Sequence, residues 1–243
     1  EIFGVRELSF STGQTEELNV PATSYLYANS VSIQSQLAKR PDKLKWGAYS
    51  GAATVGCFEE GLILSAPLGK KVFFGLQSTL RFGQGDYRFV YAPAGGDVVQ
   101  RRANSAVFNY KIRGVVGLEW KNAQTLFSVN YLNNEQELPG AVILYNPSND
   151  QKLWTEDVRL SFTHDQRSGP WNLQWNGFYQ HAFMRYFDPD FLNLQGFIDN
   201  SYRQQNEGTG FMVRRRLFRE RLLFFSGTDL ILSQLVGSNL SGN

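Results

Sequence analysis

Few side chains in this chain of 243 residues have the types and spacing that covalent chemistry needs. Its one cysteine, Cys57, would be a nucleophile only beside a positioned base, and the two histidines, His164 and His181, are far from it in sequence. A lone cysteine also forms no internal disulfide and no thiolate metal cluster. Cys57 therefore reads as an unpaired small residue near a strand end. No Gly-x-Ser-x-Gly elbow, paired-histidine metal motif or phosphate loop occurs. Glu59 with Glu60, Glu135 with Glu137, and Asp188 with Asp190 have the composition of glycosidase carboxylates or calcium ligands. In polar stretches they read more simply as solvated loop residues. Arg214, Arg215, Arg216, Arg219 and Arg221 could hold an anion, but cations snorkelling from a strand end explain them with less. The expectation is a chain that is not an enzyme, with no cofactor and no catalytic or metal-ligating residue. What remains is aromatic side chains set in polar loops, namely Tyr87, Phe89, Tyr91, Tyr145 and Phe191, which could stack on a ligand or simply pack the loops.

The elements that would position those loops are strands. From Val72 to Arg81, Val72, Phe74, Leu76 and Leu80 share one face, opposite Gly75, Gln77, Thr79 and Arg81. Phe108, Tyr110, Ile112, Val116, Leu118 and Trp120 alternate in the same way with Asn109, Lys111, Arg113, Gly117 and Glu119. Thr125, Phe127, Val129 and Tyr131 lie opposite Ser128 and Asn130. Further alternating stretches run over Val158–Phe162, Trp171–Phe183, Gly208–Phe218 and Leu222–Gln234, and before them over Lys45–Gly56 and Phe58–Ala66. Each has one apolar and one polar surface. A soluble antiparallel sandwich alternates equally well, so periodicity alone leaves both environments open.

Bulk properties narrow the field. Charged residues make up 19% and aromatics 14%, the first low and the second high for a soluble chain. A net charge of +2 gives no argument for a nucleic-acid partner. No apolar run approaches the roughly 20 residues of a transmembrane helix. Residues 1–6 lack the basic start and apolar core of a secretory signal.

The connections carry more information. After Pro67 they alternate strictly between short ones, centred near residues 69, 122, 167 and 220, and long polar ones over 83–106, 134–153 and 187–206. Short turns at one end and long loops at the other are the habit of outer-membrane barrels. Trp120, Trp154, Trp171 and Tyr131 near strand ends fit interfacial girdles. In that setting Arg81, Lys111, Arg113 and Arg159 belong on the lumen side, since a cation at the lipid midplane costs about 2–4 kcal/mol. Residues 1–42, rich in Ser, Thr, Asn and Gln, read instead as short strands of a separate polar unit. About nine barrel strands with an unpartnered last one imply that further strands exist, because an open edge cannot face lipid.

The order of features resembles a TonB-dependent outer-membrane receptor of the Bacteroidetes type. Residues 25–34, Tyr-Leu-Tyr-Ala-Asn-Ser-Val-Ser-Ile-Gln, resemble the last strands of the plug, and residues 45–67 the first barrel hairpin after it. Phe82-Gly83-Gln84-Gly85-Asp86-Tyr87-Arg88-Phe89 is similar to the family's "sDgDYpf" stretch. Arg101-Arg102-Ala103-Asn104-Ser105-Ala106-Val107-Phe108 is similar to its "R.NAdf" segment, and Glu137-Leu138-Pro139-Gly140-Ala141-Val142 to its "eiPG" element. The resemblance covers most of residues 20–165. It implies an all-β fold: an antiparallel transmembrane β-barrel in part, about nine strands of about 22, preceded by the end of a plug domain. The implied domains are residues 1–42 (C-terminal part of the plug) and 43–243 (N-terminal portion of the barrel). The implied activity is import of a scarce ligand such as an iron chelate, cobalamin or an oligosaccharide, across the bacterial outer membrane. The implied partners are the TonB complex, engaged through a region N-terminal to these residues, the ligand, and outer-membrane lipid. A passive porin or adhesive barrel without energy coupling, and a soluble β-sandwich binding module, are the other readings.

Overall fold

The computed structural model of the chain describes residues 5–12, 29–53, 56–91, 96–139, 150–191, 194–217 and 222–238. Strands β1 (Val5–Thr12) and β2 (Asn29–Ser35) pair antiparallel in a two-stranded sheet of their own. A short 3₁₀ turn, Gln36–Ala38, leads out of it. The dominant element is one antiparallel sheet of nine strands: β3 (Lys45–Ala53), β4 (Cys57–Pro67), β5 (Val72–Gly83), β8 (Val107–Glu119), β9 (Ala123–Leu138), β10 (Gln151–Ser168), β11 (Trp171–Asp188), β12 (Ile198–Leu217) and β13 (Leu222–Gly237). Each strand pairs with the next along the chain. Among the described residues the one interruption is a small hairpin, β6 (Arg88–Tyr91) with β7 (Val98–Arg101), inserted between β5 and β8. The sheet does not close: β3 and β13 are its two edges.

Register turns the alternation of single strands into continuous surfaces. Phe74 pairs with Val116, Val116 with Phe127, and Phe127 with Phe162. One row over, Leu64, Leu76, Gly114, Val129, Leu160 and Tyr179 line up across six strands. Aromatic rings meet along this face: Phe127 and Phe162 at 5.1 Å, Phe162 and Trp175 at 4.9 Å edge to face, Tyr110 and Tyr131 at 6.3 Å. Yet the face is open, with Phe127, Val129, Leu160 and Trp175 all between 44% and 52% exposed.

The opposite face is polar and hydrogen-bonded from strand to strand. Asn109 donates to Asn134 at 3.1 Å, and the hydroxyls of Ser128 and Ser161 lie 2.5 Å apart. Gln180 donates to Asp157 at 2.5 Å and accepts from Asn206 at 3.4 Å. The little core that exists sits on this side. Leu37 and Phe73 are essentially fully buried. Leu37 lies against Gly75, where an added Cβ would come within 2.7 Å of its Cδ2, and the Phe73 ring lies directly over Gly117. Arg40 donates to the Gly69 carbonyl at 2.5 Å and Gln124 to the Ala38 carbonyl at 3.4 Å. The segment leaving the small sheet is thus pinned to the polar face near the turns.

Several expected boundaries shift. β3 stops at Ala53 rather than Gly56. The long connection 83–106 is not wholly loop, since it holds β6 and β7. Pairing continues past the alternating segments, so the connection placed at 187–206 shrinks to 189–197 and the one at 134–153 to 139–150. The short connection expected near residue 167 is only Gly169-Pro170, with Gly169 at φ 57°. Backbone ladders need no apolar side chain, which is why polar residues carry the strands further than their periodicity does.

Candidate ligand-binding end of the sheet

The connections between β5 and β8 and between β9 and β10 meet at one end of the sheet. Glu137 N–H donates to the Ala106 carbonyl at 2.8 Å, and Ala106 N–H returns a bond to the Glu137 carboxylate at 3.0 Å. Asn104 holds a left-handed φ of 53° and its amide reaches two strands at once, donating to Leu138 O at 3.1 Å and Gln151 O at 3.0 Å. Ser105 donates to the Gly85 carbonyl. Gly85 has φ 61°, and a Cβ there would collide with the Ser105 carbonyl. Glycine is required on both counts. The three sequence segments around Gly85, Asn104 and Glu137 are therefore one hydrogen-bonded assembly.

Within it, Asp86 and Arg101 form an ion pair. The Asp86 carboxylate pushes the Arg101 guanidinium above its already high range, so the arginine keeps its charge at any physiological pH. Gln84, Asp86, Arg101, Arg102 and Asn104 line an open recess of about 450 Å³. Tyr87 and Phe89 meet edge to face at 6.4 Å, and the Arg102 guanidinium lies 5.9 Å from the Phe89 ring centre.

Of the five aromatic candidates, Tyr87 and Phe89 are thus brought together. Phe191, 43% exposed, stands on a different connection, between β11 and β12. Tyr91 is a strand residue paired with Val98, and its side chain lies outside the described residues, as does Tyr145 altogether. The neighbouring strand ends carry a group that periodicity did not reveal. Arg185 forms a fork of hydrogen bonds to Asp199 at 2.8 and 2.7 Å, with its guanidinium 5.2 Å from Trp154 and 5.8 Å from Phe187. Asp188, buried, accepts from Gln151, Tyr186 and the Asp190 N–H. Of the carboxylates singled out for calcium, Asp188, Glu137 and Glu59 accept protein hydrogen bonds, Glu59 from the Tyr49 hydroxyl at 2.6 Å. Only register, unknown from sequence, places Trp154 opposite Arg185.

No known family model matches the chain, and no curated protein is significantly similar to it.

Charge is distributed unevenly along the strand direction. At the short-turn end, residues 39–46, 68–71, 119–122, 165–172 and 214–215 hold ten cations (Lys39, Arg40, Lys43, Lys45, Lys70, Lys71, Lys121, Arg167, Arg214, Arg215) against three carboxylates (Asp42, Glu119, Asp165). At the other end, residues 56–60, 81–91, 96–106, 133–139, 150–157, 185–191 and 194–207 hold seven cations against thirteen carboxylates. Of the expected arginine cluster, Arg219, Arg221 and the Arg216 side chain lie outside the described residues, and the other two divide by alternation. Arg214 is buried on the polar side, whereas Arg215 stacks 4.8 Å from Trp171 on the other.

Proposed function

We propose that this chain is part of a TonB-dependent outer-membrane receptor that imports a scarce ligand, such as an iron chelate, cobalamin or an oligosaccharide. In this reading residues 1–42 are the end of the plug and residues 43–243 the first portion of the barrel, with lipid against the apolar face. The observation that carries it is the pair of faces. One is apolar and exposed across at least six adjacent strands, and the other is a hydrogen-bonded polar surface with Leu37 seated on it. A soluble sheet buries its apolar face and exposes the polar one.

A second feature supports the reading. The apolar surface extends to Phe82 and Phe108 on β5 and β8, gives way at Asn133 and Glu135 on β9, and has given way by Glu207 on β12, which stands in the row of Val129 and Leu160. From β5 to β12 its border thus cuts obliquely across the hydrogen-bonded rows, while on β13 Leu232, paired with Glu207, is apolar again. Strands tilted by about 35–45° in a membrane would produce that slant. The assembly around Gly85, Asn104 and Glu137 fixes the bases of the outer loops, where Tyr87, Phe89 and the recess beside Asn104 are the ligand-facing candidates. Energy coupling distinguishes this reading from a passive barrel.

Fractionation after expression in a Gram-negative host tests the membrane assignment. The chain should sediment with outer membranes, resist a urea wash and be released by detergent. Recovery as a folded protein in the soluble fraction would contradict it. Ligand uptake that persists in cells lacking the TonB complex would favour the passive barrel instead.

A further inference from the structure

We propose that the short-turn end of the sheet binds the headgroups of anionic phospholipids in preference to neutral ones. The inference rests on the membrane reading above and goes beyond it in naming the lipid. Lys43, Lys45, Lys70, Lys71, Lys121 and Arg167 are all exposed, and among the described residues none of them joins an ion pair. The hydrogen bond from Arg40 to the Gly69 carbonyl brings the 39–46 segment against the 68–71 turn, so two cationic segments become one.

Apolar groups interleave with these charges at the same level. Leu44 is 58% exposed, Trp46 73%, Leu68 61% and Trp120 46%. In water that is an unfavourable mixture. In a headgroup layer both parts are satisfied, because rings and leucines dip toward the acyl boundary while ammonium groups reach phosphate. A nucleic acid would meet the cations but offers nothing to Leu44 and Leu68, and those residues continue into the apolar face of the sheet. The excess of cations over carboxylates decides between lipids: a zwitterionic headgroup has no net charge to compensate it, whereas an anionic one does.

Quenching by brominated lipids reads this directly, since bromine on an acyl chain quenches a tryptophan it touches. Of the five tryptophans, Trp154 and Trp175 are replaced by Phe, leaving Trp46, Trp120 and Trp171 to report the short-turn end. The full chain is reconstituted in vesicles of phosphatidylcholine and phosphatidylglycerol, with one or the other brominated. The proposal expects brominated phosphatidylglycerol to quench about threefold more strongly at equal mole fraction, an advantage that fades in about 1 M salt, where the Debye length is about 3 Å. It also expects the advantage to vanish when Lys43, Lys45, Lys70 and Lys71 are changed together to Gln, with circular dichroism unchanged. Equal quenching by the two lipids overturns the inference and leaves the membrane reading standing. No quenching by either defeats the membrane reading itself. Loss of the preference with inorganic phosphate, but not with chloride at matched ionic strength, assigns the surface to free phosphate and overturns the lipid proposal.

Discussion

Asn104 occupies a left-handed conformation that asparagine tolerates better than most residues, and its amide ties the ends of β9 and β10 to the connection after β5. Asn104→Ala loses both bonds and keeps an unfavourable φ, so it should cost about 1–3 kcal/mol. Asn104→Gly relieves the backbone but not the carbonyls and should recover part of that loss. Rates of proteolytic cleavage within residues 84–106 measure both, and equal rates in wild type and Asn104→Ala would refute the assembly. Phe73 poses the complementary case. Its ring covers Gly117 so closely that even Ala at 117 forces it aside. Gly117→Ala should destabilise the chain by about 1–3 kcal/mol, the usual cost of overpacking, seen as a lower urea midpoint. Gly114→Ala, where nothing lies within 4 Å of an added Cβ, should be near neutral and serves as the control.

Strand β9 shows what alternation encodes. Phe127 is 48% exposed on the apolar face, while the neighbouring Ser128 shares a hydrogen bond with Ser161 on the polar one. Phe127→Arg should reduce membrane insertion by an amount equivalent to about 2–4 kcal/mol, and Ser128→Arg should be mild. Heat-modifiable migration on gels compares them, and equal defects would contradict the assignment of faces. These faces were legible in the sequence because side-chain direction depends only on a period of two. Strand ends were not. Residues such as Glu135, Glu137 and Arg203 break the apolar pattern while their backbones stay in the ladder. The short strands β6 and β7, with Val98 and Val99 adjacent, offer too little contrast to be seen. Phe73 escaped for another reason. It is apolar on the polar face because Leu37, distant in sequence, covers that region, and such contacts have no local signature.

Among the described residues, the main sheet is a meander of nine strands with two unpaired edges and opposite charge at its two ends. Strand β13 exposes Leu230 and Leu232 on one face and Ile231 and Leu235 on the other. Under the receptor reading, both edges meet further strands of the parent barrel, because lipid leaves no unpaired backbone group satisfied. The three loose motifs named from sequence converge in space at the end away from the turns, and among the described side chains of the aromatic candidates Tyr87 and Phe89 meet there. Ligand identity has no readable counterpart in those side chains, since stacking and loop packing call on the same rings.

Accessibility along β9 tests most directly whether lipid lies against one face and water against the other. With Cys57 replaced by Ser, single spin-labelled cysteines at 126 to 131 in membranes are probed with oxygen, which concentrates in lipid, and with a water-soluble nickel chelate. Oxygen accessibility should peak at 127, 129 and 131 and chelate accessibility at 126, 128 and 130, giving two waves of period two in opposite phase. Waves in the same phase, or labels at 127 and 129 reached mainly by the chelate, would contradict the account.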